Sequence, residues 1–324
     1  MRIVALSIVL VSGLAPLLPA QGNATLSHAR QQFDAKNWDT AKQEFSLLAR
    51  AAPNDATPVL YLGKIAFQQG DSDESIRQFE HCIALDEKNA ACHAWLGNAL
   101  GLTAQRTSKF KLPMLAKRTK KEFDRAVELD PGNIDGRSGE LQFYLNAPGF
   151  LGGSIEKARE QAAEIEARSK LRGAVARGII ADHENDAKAS EAAYERAVAL
   201  APDSVPGYNG LLALYTREKR WAEAFTTLEH IAERVSTEPN TAIRFARLAY
   251  LSGEQLQRGE EGARRWIANP PAQVPANAKA TAHLRLGQIY EKTSRKELAR
   301  SEYQQALLIN PRLDEARKAL DALK

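Results

Sequence analysis

A Leu-Gly pair at Leu62-Gly63 returns at Leu96-Gly97, thirty-four residues on, and again far downstream at Leu286-Gly287. Small and apolar residues recur at the same offsets around each pair. In the last copy, His283-x2-Leu286-Gly287-x2-Tyr290 is followed by Ala299-x3-Tyr303, then Ala306 and Pro311. Helical spacing puts Leu286 and Tyr290 on one face of a first helix, and Ala299, Tyr303 and Ala306 on one face of a second. Small residues let the two helices approach, large ones fill the space between them, and Pro311 ends the second helix. A fixed period of this kind requires a stack of helix pairs, each burying its apolar face on the next.

The other copies fall into the same frame. Repeat one reads Ala29, Phe33, Trp38, Ala41, Phe45 and Pro53; repeat two Leu62, Gly63, Gly70, Ser75, Phe79 and Cys82. Repeat three has Leu96, Gly97 and Leu100, and resumes at Phe123, Ala126 and Pro131. Repeat four is weaker, with Leu141, Tyr144, Ala158, Ala162 and Ile165. Repeats five to seven are marked by Gly178 and Tyr194, by Tyr208 and Trp221, and by Phe245 and Trp266. Residues 314–323 read as a polar-faced closing helix, which covers the last apolar face.

The pattern resembles the tetratricopeptide repeat (TPR), with His283 standing where that family has Trp. The resemblance implies an all-α TPR-type solenoid of about eight helix-turn-helix repeats over residues 21–324. It also implies a protein-interaction scaffold that binds a peptide or protein partner on its concave surface. The fold leaves the partner open, because arrays of this type bind many unrelated proteins.

The first twenty residues read differently. Met1-Arg2 precedes an apolar run over 3–18, broken by Gly13 and Pro16, and Leu18-Pro19-Ala20 offers a cleavage point before Gln21. That is the composition of a signal peptide over 1–20, so a periplasmic or secreted mature protein is expected. The run is short for a membrane span, no cysteine follows it to carry a lipoprotein anchor, and no later segment is long and apolar enough to cross a bilayer. With 44 Lys and Arg against 40 Asp and Glu the chain is nearly neutral, which argues against a nucleic-acid binder.

Cys82 and Cys92 are the only cysteines. They fall late in the second helix of repeat two and early in the first helix of repeat three, which stacking brings together. In an exported protein such a pair is a disulfide candidate. The alternative is two small buried thiols. Zinc binding together with His81 and His93 is disfavoured, because adjacent helical residues point in different directions.

Two insertions break the period, near 102–112 in repeat three and at 146–154 in repeat four. Both fall in the turn between paired helices, so they are expected to be neighbours on one edge of the solenoid, where such insertions often bind. The second, Asn146-Ala-Pro-Gly-Phe-Leu-Gly-Gly-Ser154, resembles a turn found in exported bacterial TPR proteins of unassigned function. Its apolar tip is Phe150-Leu151, which either binds or folds back on the neighbouring insertion, and Ser154 is the expected cap of the next helix. It lacks the Gly-Lys-Ser/Thr ending of a phosphate loop and follows a helix, so no nucleotide cofactor is expected.

The first insertion opens a basic run over 106–125: Arg106, Lys109, Lys111, Lys117, Arg118, Lys120, Lys121 and Arg125. It offers an alternative function, binding an anionic polymer or membrane surface; accessory subunit of an envelope enzyme complex is another. The plainer reading is a solvated helix face.

First-helix positions not needed for packing give the partner-binding candidates Tyr61, Lys64, Phe67, Trp95, Asn98 and Gln142, with Phe150 and Leu151 at the insertion. Asp182, Asn209 and Arg285 continue the same row. Tyr61 and Trp95 are either anchors for a partner or packing between neighbouring first helices. The Lys and Asn set with which chaperone-binding TPR domains hold a terminal carboxylate is not reproduced. No arrangement of the six histidines, or of Asp182, Glu184 and Asp186, matches a catalytic or metal-binding motif, and no enzyme activity is expected.

Overall fold

The computed structural model describes residues 25–104, 107, 112–235, 240–271, 274 and 277–323. The apolar leader over 1–20, and Arg106, Lys109 and Lys111 of the basic run, lie outside the described residues.

Polar caps start many of the helices. Asp71 accepts from the Glu74 N–H at 3.0 Å, Asn133 from Gly136 at 2.8 Å, Ser154 from Lys157 at 3.3 Å and Asp186 from Ala189 at 2.9 Å. The helices pair in chain order. They are α1 (Leu26–Asp34) with α2 (Trp38–Ala51), α3 (Ala56–Gln68) with α4 (Ser72–Leu85), α5 (Ala90–Ala104) with α6 (Leu112–Leu129), and α7 (Ile134–Asn146) with α8 (Ile155–Arg168). Then come α9 (Lys170–His183) with α10 (Ala187–Leu200), α11 (Val205–Arg217) with α12 (Trp221–Arg234), α13 (Thr241–Ser252) with α14 (Leu256–Ala268), and α15 (Ala278–Lys292) with α16 (Lys296–Ile309). A last helix, α17 (Asp314–Ala322), buries Ala316 against the stack and turns its charged face outward. Among the described residues there are seventeen α-helices and no strand. This is the all-α solenoid of eight pairs and a cap.

The turn inside each pair has its own signature. A single residue in the left-handed region makes it at Lys36, Gly70, Asn185, Lys219 and Ser294, with φ between 56° and 78°, and repeat seven uses two, Gly253 at 80° and Gln255 at 51°. Repeat four, which carries the second insertion, turns differently. In repeat four a 3₁₀ turn at Gly149–Leu151 leads into Gly152 at φ 101°. The next residue must be glycine as well, because a β-carbon on Gly153 would overlap the Ala147 carbonyl.

The Leu-Gly pairs explain the packing within repeats. Gly63 lies against the Phe79 ring, Gly97 against Phe123, and Gly287 against Tyr303, so closely that a β-carbon would stand 2.5 to 2.6 Å from the ring edge. The core is therefore built of aromatic rings on bare helix backbone, continued from repeat to repeat by buried Leu96, Leu100, Leu141, Leu214 and Leu228.

Helices that pack extensively are one or two apart in chain order. The first helices touch one another in α3–α5, α5–α7, α7–α9, α9–α11 and α13–α15, and no comparable contact joins the second helices. The stack is therefore tighter along its first helices, which makes that side the inside of the curve.

Candidate functional site

On this inner side, repeats two, three and four enclose a groove of about 660 Å³. Phe67 of α3, Asn98 and Gly101 of α5, and Gln142 and Phe143 of α7 line it. Leu112, Ala116, Thr119 and Phe123 of α6 form another wall, and the second insertion closes one end with Ala147, Pro148 and Leu151. Thr107 of the first insertion stands on the same rim, and Gly152 of the second lies near the Phe143 ring and the Lys120 side chain. The two insertions meet at one edge, and part of the extra length in repeat three is spent as helix, since α6 runs for 18 residues.

Four of the proposed contact residues, Phe67, Asn98, Gln142 and Leu151, converge on this groove. Phe150 does not: its side chain is 85% exposed, while Leu151 next to it turns inward. The tip therefore does not fold back as a unit.

Tyr61 and Trp95 are packing residues as well as surface ones. Tyr61 stacks on Phe45 at 4.6 Å between centroids and meets Phe33 edge-on at 5.1 Å. Trp95 meets Phe67 edge-on at 5.6 Å and lies 6.2 Å from Phe79. Between these two sits Lys64, its Nζ 5.1 Å from the Tyr61 centroid and 5.0 Å from that of Trp95. Burial depresses the Lys64 pKa, and Asp135 works against that depression.

The rest of the inner row has polar partners within the protein. Asp182 accepts from Ser190 at 2.6 Å, Tyr194 at 2.8 Å and Arg217 at 3.0 Å. Asn209 accepts from Arg244 at 2.6 Å, and Arg285 pairs with Glu315 at 2.7 Å. Glu184 pairs with Arg159, and Asp186 caps α10. Among the described residues no group of three or more His, Cys, Asp or Glu side chains is placed to hold a metal.

Beside the groove, α7 carries polar residues where its neighbours are apolar. In register with Leu62, Leu96 and Leu286 stands Glu140, 7% exposed, with one carboxylate oxygen lacking any partner. Burial foremost, and then the facing Asp124, push its pKa up to about 7, against the pull of Lys120 and Arg137. Lys120 donates to both Asp124 oxygens at 2.7 Å, and Arg137 donates to the Pro131 carbonyl and to Gln161 at 2.8 Å each. Sequence reading missed Glu140. The signal was its register in the repeat, masked by the adjacent Leu141.

Cys82 and Cys92 join α4 to α5 through a disulfide, with Cα atoms 5.9 Å apart. His93, beside it, lies 2.6 Å from Glu122 and 3.1 Å from the Glu87 carbonyl, a setting unlike a metal site. Burial opposes its charge, but these two acceptors outweigh it and its pKa is raised.

Of the five described residues of the basic run, three are answered by acids. Arg118 pairs with Glu80 at 2.5 Å, Lys120 with Asp124, and Arg125 with Glu128 at 3.3 Å. Lys117 and Lys121 are exposed.

The family pattern described as "Tetratricopeptide repeat" matches residues 62–89 and 280–321. The chain carries tetratricopeptide repeats. The two matched stretches fall in repeats two and eight, those with the fullest Leu-Gly-to-aromatic register, and the second reaches into the closing helix. Solved TPR-type structures are similar over most of the chain. The Cut9 and Hcn1 hetero-tetramer of the APC/C aligns with a TM-score of 0.51 at 10% identity, over 92% of this chain and 55% of that one. A tetratricopeptide repeat protein from Parabacteroides merdae ATCC 43184 aligns at 0.48 and 12% identity, over 92% and 96%. A thermophilic TPR protein of Thermus thermophilus aligns at 0.49 and 18% identity, over 60% and 98%. No curated protein sequence matches the chain. Tetratricopeptide repeats bind protein partners, and the fold of this chain is that of a protein-interaction scaffold. No helix among the described residues is long and apolar enough to cross a membrane.

Proposed function

We propose that this TPR protein is a non-catalytic scaffold that takes an extended segment of a protein partner into the groove between repeats two, three and four. The observation that carries the reading is the groove itself. It has an apolar floor at Phe67, Phe123, Phe143 and Leu151, and side-chain amides at Asn98 of α5 and Gln142 of α7. An apolar side chain of the partner fills the floor, and the amides bond its backbone, which has no other way to satisfy its polar groups once desolvated. Residues of both insertions line this site.

The protein acts in the cell envelope or outside the cell. The apolar leader with its Ala20 cleavage point supports this reading, as does a cysteine pair joined within an otherwise cysteine-free chain. The anionic-polymer alternative draws less support, because Arg118, Lys120 and Arg125 are each neutralised within the protein.

Site-specific photocrosslinking tests the proposal. A photoreactive residue at Gln142 should capture a partner in its own envelope that the same residue at exposed Glu233 of α12 does not capture. Equal capture from both positions, or none from Gln142 while the intact protein still co-purifies with a partner, would refute the groove as the site. Recovery of the mature protein with Met1 intact would refute the compartment.

A further inference from the structure

Phe123, on the groove floor, is clasped by two helices. A β-carbon on Gly97 of α5, or on Gly139 of α7, would overlap the same Cδ1–Cε1 edge of its ring. Tyr194 lies in the same way against Gly178 and Gly210, but its hydroxyl ties it to Asp182 at 2.8 Å. Phe123 has no hydroxyl, so its position is set by how closely α5, α6 and α7 pack.

The residues next to this clasp are acids: Glu140 follows Gly139, and Asp124 follows Phe123. Glu140 is 7% exposed, and one of its carboxylate oxygens has no partner. Asp124 faces it from α6, with Lys120 donating to both Asp124 oxygens. On α7 itself, Arg137 is turned to the Pro131 carbonyl, Gln161 and Glu164, and the Tyr144 ring carries the Lys120 ammonium at 5.6 Å and that of Lys157 of α8 at 5.7 Å. From α5 comes His93, held by Glu122 and the Glu87 carbonyl, and from α9 comes Arg172, which pairs with Asp135.

Two facing carboxylates in a buried joint resist carrying both charges, because they repel and burial removes the water that would screen them. With a proton on Glu140 the joint holds one negative charge, which Lys120 answers, and α6 and α7 close on Phe123. The raised Glu140 pKa agrees with this. When the proton leaves, the repulsion acts between the two helices that hold the ring.

We propose that Glu140 and Asp124 form a proton-operated latch on the groove: the protonated pair keeps Phe123 clasped and the partner segment bound, and loss of the proton loosens α6 from α7 and weakens binding. The inference rests on the groove reading above and adds its regulation.

Fluorescence anisotropy with a peptide free of titratable groups tests this. The peptide is selected by display on the full, disulfide-intact protein at acidic pH, and kept only if Gly101→Leu abolishes its binding. Affinity for the natural protein should fall on the order of fivefold or more between about pH 6 and about pH 8. Glu140→Gln should keep the low-pH affinity throughout; His93 is common to both proteins and cancels in the comparison. Asp124→Asn removes the repulsion and should move the midpoint to lower pH, which serves should Glu140→Gln fail to fold. Linkage requires the converse: calorimetry at neutral pH, in two buffers of different ionisation enthalpy, should show proton uptake on binding by the natural protein and none by Glu140→Gln. A groove peptide whose affinity does not change with pH, or whose pH response persists unaltered in Glu140→Gln and Asp124→Asn, would overturn this inference and leave the groove standing. Failure to select any such peptide would overturn both.

Discussion

Gly97 lies so close to the Phe123 ring that a β-carbon on it would stand 2.5 Å from Cε1. Phe123 is also part of the groove, so the contact that joins the helices of repeat three fixes the floor of the site. Replacing Gly97 with alanine forces the ring or the helix to move. We predict that Gly97→Ala destabilises the protein by about 1–3 kcal/mol, the usual cost of overpacking a rigid core. Gly101→Ala, four residues on, meets only the Thr119 methyl at 3.7 Å and should be neutral or slightly stabilising. Thermal unfolding followed by circular dichroism distinguishes the two.

The disulfide gives a second prediction. Non-reducing peptide mapping of protein isolated from its own compartment should recover Cys82 linked to Cys92. Closing a loop with a sequence separation of 10 should contribute about 2–3 kcal/mol, lost on reduction. Freely alkylated thiols in the isolated protein would leave the pair with a packing role alone.

A third prediction concerns pH. The folded protein holds the Glu140 carboxyl at a pKa of about 7, above its ordinary 4.5, so it binds a proton more tightly than the unfolded chain does. Stability should therefore fall as pH rises from about 4.5 through about 7, and Glu140→Gln should abolish this part of the dependence. The difference between the two proteins should grow to on the order of 3 kcal/mol above neutrality. His93 adds a loss in the same direction, since its raised pKa favours the charged form at low pH; it is common to both proteins and cancels in the comparison. A constant stability difference between pH 4 and 8 would contradict the assignment.

Much of this architecture is written in single residues. The Leu-Gly pairs and the aromatics that follow them encode the helix pairing directly, because only glycine lets Phe79, Phe123 and Tyr303 reach the facing backbone. The insertions are legible as lost period, and the thirty-four-residue spacing brings Cys82 and Cys92 to one joint. The site was legible only in part. Phe67, Asn98 and Gln142 follow from helical spacing, but spacing alone does not separate a ring that lines a groove from one that fills a joint, as Tyr61 and Trp95 do. Nor does it show that Asp182, Asn209 and Arg285 would be taken by partners from neighbouring helices. Glu140 escaped notice because apolar Leu141 beside it offers the expected residue one place out of register.

Gly101 provides the most direct test that this groove binds the partner. It lies on the groove wall with room for a side chain, so Gly101→Leu should fill the site while leaving helicity and melting temperature unchanged. Affinity for a groove-selected peptide should be measured by fluorescence anisotropy on both proteins. A loss of at least tenfold with unaltered melting is the predicted result; equal affinity on a folded Gly101→Leu protein would show that the partner binds elsewhere.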